Sequence, residues 1–403
     1  MTGLEASDAL RPLAVVGRKA QPSLWPAPLV TAALYLLVVV PRLRANGPFW
    51  FVHLGTQFVA GAQRAHANLP AGLHGTSRIG YDGQFYFALA ADPAKAHTYI
   101  TQAEPGYVYS RVLYPALARL LGLGRVEGIA YALVGINVAA VVLGTLAAAS
   151  WLRRRDCAPA YALLFGLFPG LVFCVERDLT EPLAYALASA AVLVFDRGSR
   201  RAVAGAATLM ALSVLTRETA AIFALVLAAR LVAGDRRVRR GALFLAASVG
   251  PLLVWRLAVT LWLGRPTQEQ PGGGLASLIP FHAYWQWWPW QPMRTIVVLA
   301  VTVPALLTAA AVLAAWRSSR ERWPFALFLL NALAFVAFLP TPVFVDYGAA
   351  GRAALGVVLA FVFCLPELLR RPLTGRLLAA AWSPACYAAA AIALGAPPPY
   401  PLS

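Results

Sequence analysis

Long apolar runs broken by short arginine-rich stretches set the pattern of this chain. The runs at 128–152, 243–263, 295–316 and 323–344 approach or exceed the ~20 apolar residues that carry a helix across a bilayer. The breaks are basic, with arginines clustered at 153–155, 197–201, 236–240, 317–322 and 370–376. Short basic loops mark the cytoplasmic side of a membrane protein, so an even number of spans is expected between neighbouring clusters. Under that rule the interval 155–197 folds as a hairpin whose outer turn is CVERDLTEP, at 174–182. The interval 201–236 turns at LTRETA, at 215–220, because one unbroken helix would bury Arg217 and Glu218 at mid-membrane, at a cost of about 3 kcal/mol each on insertion scales.

A third hairpin, 240–317, carries a long outer loop at 264–294 that holds PGGG and the aromatic run WQWWPW. A fourth, 322–370, turns at VFVDYGAAGRA, at 343–353. With a first span near 26–40 and a last one near 377–394, the expected architecture is all-α. It is a polytopic transmembrane helical bundle of about eleven spans, forming a single integral membrane domain over 1–403. The segment 41–127 then lies outside as a first external loop, with candidate interfacial helices at 47–61 and 79–93 and a third helix at 110–124, interfacial or short and re-entrant. Arg11, Arg18 and Lys19 precede the first span, which is expected to stay as an anchor with the N-terminus cytoplasmic.

Composition sharpens this picture. Of the 403 residues 60% are hydrophobic and 13% charged, about half the charged share of a soluble domain. The net charge of +17 is dispersed over loop clusters and forms no basic face for a nucleic-acid partner. The four cysteines, Cys157, Cys174, Cys364 and Cys386, include no C-x-x-C pair and read as small hydrophobes in or beside spans.

The remaining polar chemistry falls on the outer turns, so one face of the bundle is expected to hold it. Turn 174–182 has Glu176, Arg177, Asp178 and Glu181; turn 215–220 has Arg217 and Glu218; turn 343–353 has Asp346 and Arg352. The first loop adds Asp82, Asp92, Glu104 and Arg111, and all five histidines (His53, His66, His74, His97, His282) are external. Within IGYDGQFYFALAADP, a helix is expected from Gly83 to about Ala91, stopped at Asp92-Pro93. Asp82 stands at its N-cap, where a carboxylate can accept backbone N–H groups. Gly80 and Gly83 on either side let backbone or substrate approach that carboxylate, so capping and catalysis are compatible roles.

An arginine at a membrane end commonly snorkels to headgroups, but its fork also suits a phosphate, and neighbouring acids can hold it in place. The histidines have no metal-ligand spacing; a site from His66, His74 and Asp82 is loose, so no metal is expected and a divalent ion lacks support from spacing. Trp285, Trp287, Trp288 and Trp290 fit an interfacial anchor, with sugar stacking as a second use. No P-loop, G-x-G-x-x-G or G-x-S-x-G motif occurs.

These residues resemble those of bacterial polytopic glycosyltransferases of the GT-C type, nearest to cell-surface glycopolymer formation proteins with a YDGQFY first-loop motif. The matching residues are Tyr81, Asp82, Gly83, Gln84, Phe85 and Tyr86, then Leu89, Ala90, Asp92 and Pro93. Arg111, Leu113, Tyr114, Pro115, Leu117, Ala118 and Leu121 follow, with ERDLTEPLAYAL and SVLTRETA further on. The resemblance covers about 80–220 and implies a GT-C core in the inner or plasma membrane, with chemistry on the non-cytoplasmic face. Its donor substrate would be a polyprenyl-phosphate-linked sugar and its acceptor a glycan or lipid. Asp82 would be the general base. Arg111, Arg177 and Arg217 would bind the phosphate, positioned by Glu176, Asp178 and Glu218, with Gly83, Gln84, Tyr86 and Tyr114 also contacting substrate. The family's second loop acid has only Asp92 and Glu104 as counterparts, which leaves a metal requirement open. Two other classes fit the sequence: a lipid-linked-sugar flippase, for which Pro169-Gly170, Gly250-Pro251 and Arg256 are the hints of broken or charged helices, and a non-catalytic lipid-binding subunit of a glycopolymer assembly.

Overall fold

The computed structural model describes residues 22–67, 69, 72–235, 237–264, 279–285, 292–338, 341–344 and 347–393. Among them the secondary structure is helical, without a β-strand. The first helix, α1 (Pro26–Asn46), carries Pro41 inside it and so extends past the expected end near 40. A layer of short helices follows: α2 (Phe49–Val52), α3 (Thr56–Arg64), α4 (Gly83–Ala91), α5 (Ala96–Tyr99), α6 (Pro105–Tyr109) and α7 (Leu113–Leu121). The stretch expected as one interfacial helix at 47–61 is thus two, broken where His53 takes a left-handed φ of 50°. α4 has the expected bounds and stops at Asp92, because Pro93 lacks an N–H and disfavours helical backbone before it.

The bundle proper begins with α8 (Val126–Arg153) and a bent pair. A 3₁₀ turn (Pro159–Ala162) with α9 (Leu163–Gly166) meets α10 (Pro169–Glu176) at 50°. Then come α11 (Glu181–Phe195), α12 (Arg200–Thr216), α13 (Ala221–Asp235) and α14 (Val238–Leu263). Ser199 caps α12 by accepting the Ala202 N–H at 3.1 Å, and Gly264 ends α14 in the left-handed region at φ 67°, the usual helix stop. After α15 (His282–Trp285), α16 (Pro292–Val297) continues through a π-helical turn (Val298–Thr302) into α17 (Val303–Ala315). The last elements are α18 (Trp323–Ala332) with a second π turn (Leu333–Ala337), α19 (Thr341–Phe344), α20 (Tyr347–Ala353), α21 (Leu355–Leu368), α22 (Pro372–Ala381) and α23 (Pro384–Ala393).

Four helices among the described residues are long and apolar enough to cross a membrane: α1, α8, α14 and the α16–α17 unit from Arg294. The bent pair makes a fifth if its two arms count as one span, and Glu181–Phe195, Trp323–Ala337 and Leu355–Leu368 are shorter apolar helices. The long apolar helices mark a membrane protein. Of the aromatic outer loop, Trp287, Trp288 and Trp290 lie outside the described residues, as does Asp346.

Ion pairs fix which ends lie together. α8 ends at Arg153, and Arg155 just beyond it forms a bidentate bridge to Asp196 after α11, at 2.7 and 2.9 Å. Arg155 also reaches Glu321 before α18 at 3.1 Å, and Arg230 near the end of α13 joins Asp196 at 3.2 Å. The basic breaks near 155, 197 and 320 therefore meet at one end. The basic breaks thus hold an ion-pair network of their own, at the end away from the outer turns. α11, α12 and α13 run antiparallel between the two ends, so the turns 174–182 and 215–220 stand together at the far one.

Candidate functional site

At that far end Asp82 meets Arg352. The α10 helix and the α20 helix cross at glycines: a Cβ on Gly170 would lie 2.3 Å from the Gly351 carbonyl oxygen. Only glycine permits this approach, and it carries the next residue, Arg352, over the start of α4. Arg352 Nη1 donates to Asp82 Oδ2 at 2.8 Å. The two side chains retain 13% and 22% of their exposure. The expected cap is not formed: Asp82 makes no side-chain bond to the α4 backbone, because its carboxylate is turned to this guanidinium instead. Burial alone would raise the Asp82 carboxyl, but Arg352, with Arg111 and Arg217 further off, outweighs burial and holds it below its ordinary value.

Glu181 joins this pair to the next turn. Its Oε1 is 3.6 Å from Arg352 Nε and 2.8 Å from Arg217 Nη1, with its side chain 1% exposed. Pro182 in the first turn of α11 fits a helix start, with Glu181 buried in that same first turn. Arg217 is thus held by Glu181 and not by its sequence neighbour. Glu218 instead receives Arg111, at 3.1 Å from Nε and 2.7 Å from Nη2. Arg111 Nη1 also donates to the Tyr86 hydroxyl at 2.9 Å, and its guanidinium sits 4.1 Å over the Tyr107 ring with a further bond to that hydroxyl. Burial opposes the charge of Glu218, yet Arg111 and Arg217 keep its carboxyl below the ordinary carboxylate range. Burial pushes the Tyr86 phenol up to about 12, so it stays protonated.

Arg177 occupies a second patch beside this one. Its Nη1 lies 2.8 Å from Nε2 and 3.0 Å from Nδ1 of His53, and its guanidinium stacks 4.7 Å from the Phe173 ring and 5.2 Å from Tyr81. Tyr81 also lies 5.4 Å under Arg352, so one aromatic ring separates the two cations. Burial and Arg177 lower the His53 imidazole to about 4, which keeps it neutral. Gly83 is where α4 meets this turn: a Cβ there would fall 2.2 Å from the Arg177 carbonyl oxygen.

Four expected site residues do other work. Tyr114 is fully buried; its hydroxyl donates to the Leu133 carbonyl at 3.0 Å and accepts from Asn137 at 2.7 Å, tying α7 to α8. Gln84 accepts the Gly55 N–H and donates to the Ile79 carbonyl, each at 2.9 Å, which closes the loop before α4. Asp178 was expected to hold an arginine, but a φ of 48° turns it inward, where it is fully buried and neither carboxylate oxygen has a hydrogen-bond partner. Burial alone lifts its carboxyl well above the ordinary value, so it is the neutral acid. Glu176 pairs with Arg42 of α1 at 3.4 Å and positions that arginine, not Arg177.

Glu181, Arg352 and Tyr107 were not among the expected site residues, although Glu181 and Arg352 stood among the charged outer-turn residues. Asp92 and Glu104 take no part in the ion pairs around Asp82. Among the described residues no group of three or more His, Cys, Asp or Glu could hold a metal ion, so His66, His74 and Asp82 do not gather. Around Asp82 four arginines (Arg111, Arg177, Arg217, Arg352) stand against the three carboxyl groups of Asp82, Glu181 and Glu218, one fewer than the cations. Compared with family models, curated proteins and solved structures, the chain matches none.

Proposed function

We propose that this chain is a GT-C type membrane glycosyltransferase of about eleven spans. It would move a sugar from a polyprenyl-phosphate-linked donor to a cell-envelope glycan or lipid acceptor. Its N-terminus is cytoplasmic and its site is on the non-cytoplasmic face of the inner or plasma membrane. The observation that carries the reading is the convergence on Asp82 of Arg352, Glu181 and Arg217 from distant turns. Its surplus cation suits an anionic substrate, and arginine forks match phosphate oxygens.

In the transfer, the acceptor oxygen bonds to the anomeric carbon as the bond from that carbon to the lipid phosphate breaks. The electron pair leaves with the phosphate, and Asp82 takes the hydroxyl proton. Arginines in a poorly solvated site stabilise the phosphate charge as it grows. Asp82 bound to Arg352 is a weak base, so substrate has to change that contact. Arg352 already reaches toward Glu181 at 3.6 Å; a donor phosphate that draws Arg352 away leaves Asp82 to burial, which raises its carboxyl toward a useful range.

The Asp82–Arg352 bond also favours a second reading, in which the pair is structural and the chain is a non-catalytic lipid-binding subunit. Donor turnover separates the two. In nanodiscs supplied with a panel of polyprenyl-phosphate sugars and acceptor, the enzyme reading requires release of polyprenyl phosphate, read by mass spectrometry. Donor that binds without any release leaves the subunit reading.

A further inference from the structure

The largest chemistry outside this site lies at the opposite end of the bundle. A cavity of about 670 Å³ opens among α11, α12, α13 and α14, within the range of small-molecule sites, about 300–1,000 Å³. Its lining divides into two parts. Arg200, Arg230 and Arg240 stand with Asp196 at the helix ends, and Val203, Ala207, Leu243 and Phe244 form an apolar slot that runs back along the helices. Among the described lining residues three arginines stand against one aspartate, which leaves the mouth positive. Asp196 is already committed to Arg155 and Arg230, while Arg200 makes no ion pair among the described residues.

One helix N-terminus reinforces the charge. α14 begins at Val238 with no side-chain cap, whereas Ser199 already caps α12. Unpaired N–H groups and the helix dipole favour an anion there. Leu243 is exposed on the outer surface of α14 and also lines the slot, so the apolar part is continuous with the surface that faces acyl chains. A soluble phosphate would use the mouth and leave the slot empty. A basic pocket between membrane helices at the arginine-rich end is the setting in which anionic headgroups bind.

We infer that this cavity holds one anionic glycerophospholipid of the surrounding bilayer. Its phosphate lies on Arg200, Arg240 and the start of α14, and one acyl chain lies in the slot by Val203 and Leu243. The site is separate from Asp82, since α11 and α12 run between them, about 1.5 Å per residue over 15 residues or more.

The test uses the full chain in detergent micelles, with bound lipid counted by native mass spectrometry. It is titrated with phosphatidylglycerol, phosphatidylcholine or inorganic phosphate. Wild type should hold phosphatidylglycerol at least about tenfold more tightly than phosphatidylcholine, about 1.4 kcal/mol, and inorganic phosphate should not displace it. The Arg200→Gln/Arg240→Gln variant should lose that preference. Ala204→Phe, at an exposed wall position, should weaken binding with every charge in place. Arg370→Gln/Arg371→Gln, at the same end but outside the cavity, should keep it. Equal binding of the two lipids, displacement by phosphate alone, or unchanged binding in both cavity variants would overturn the inference.

Discussion

Replacing Arg352 by glutamine removes the cation that holds Asp82 and should unmask a strong coupling between the two positions. Unit charges about 4 Å apart attract by roughly 4 kcal/mol at an effective dielectric of 20, and the observed contact is 2.8 Å. Loss of one partner of a fully buried pair costs about 3–5 kcal/mol, whereas an exposed pair contributes at most about 1 kcal/mol. With the two side chains 13% and 22% exposed, Arg352→Gln should cost about 2–3 kcal/mol. Asp82→Asn alone should cost about 1 kcal/mol, since Arg352 keeps Glu181. The double variant should be about 2 kcal/mol more stable than the sum of the singles implies, because the buried carboxylate that Arg352→Gln strands is then gone. Equilibrium denaturant unfolding of the four forms in mixed micelles at pH 7 gives this cycle directly. The sign of the pH effect follows from the depressed carboxyl of Asp82. Its stabilisation is present above the ordinary value of 3.8 and is lost as pH falls through the lower folded value. Arg352→Gln should remove that acid limb. Single effects that add within about 0.5 kcal/mol would refute the reasoning.

Other consequences follow from the same geometry. Gly170→Ala places a Cβ 2.3 Å from the Gly351 carbonyl oxygen, so α10 and α20 must separate at a cost of about 1–3 kcal/mol; unchanged thermal unfolding would contradict the crossing. Tyr114→Phe leaves the Asn137 amide without its acceptor and should cost about 1–3 kcal/mol in stability while sparing donor binding, measured on the same preparation. His53 is neutral in the fold, with its imidazole lowered to about 4. The unfolded chain therefore binds the extra proton first, and stability should fall as pH drops from about 6.5 to about 4, by roughly 2 kcal/mol after solvent screening. A pH series of unfolding midpoints should show that limb in wild type and lack it in His53→Gln.

Local punctuation explains what the sequence made legible. The stop of α4 follows from Asp92-Pro93, while its start falls at Gly83 as expected without the Asp82 side-chain cap that suggested it, and the turn at Arg217 follows from the cost of burying a charge in a long helix. The break of α2 from α3 had no such mark, since it depends on His53 entering the left-handed region. The partners within the site were the least legible part. Arg352 meets Asp82 across 270 positions and Arg111 meets Glu218 across 107, and no local pattern encodes such distant pairs. Proximity in the sequence even misleads: adjacent residues on a tight turn point apart, so Arg217 faces Glu181 while Glu218 faces Arg111. Asp178 is the sharpest case, for its neighbours are charged and exposed to partners while its own backbone turns it into the interior.

The central claim is that Asp82 accepts a proton in sugar transfer, and single-turnover kinetics on wild type and Asp82→Asn test it most directly. Donor binding would be measured on the same nanodiscs. The account predicts that Asp82→Asn binds the polyprenyl-phosphate sugar within about threefold of wild type, while its transfer rate drops by about 10²–10⁴-fold, the usual contribution of a general base. Equal transfer rates in the two forms would contradict it and leave the ion pair with Arg352 as a structural bond.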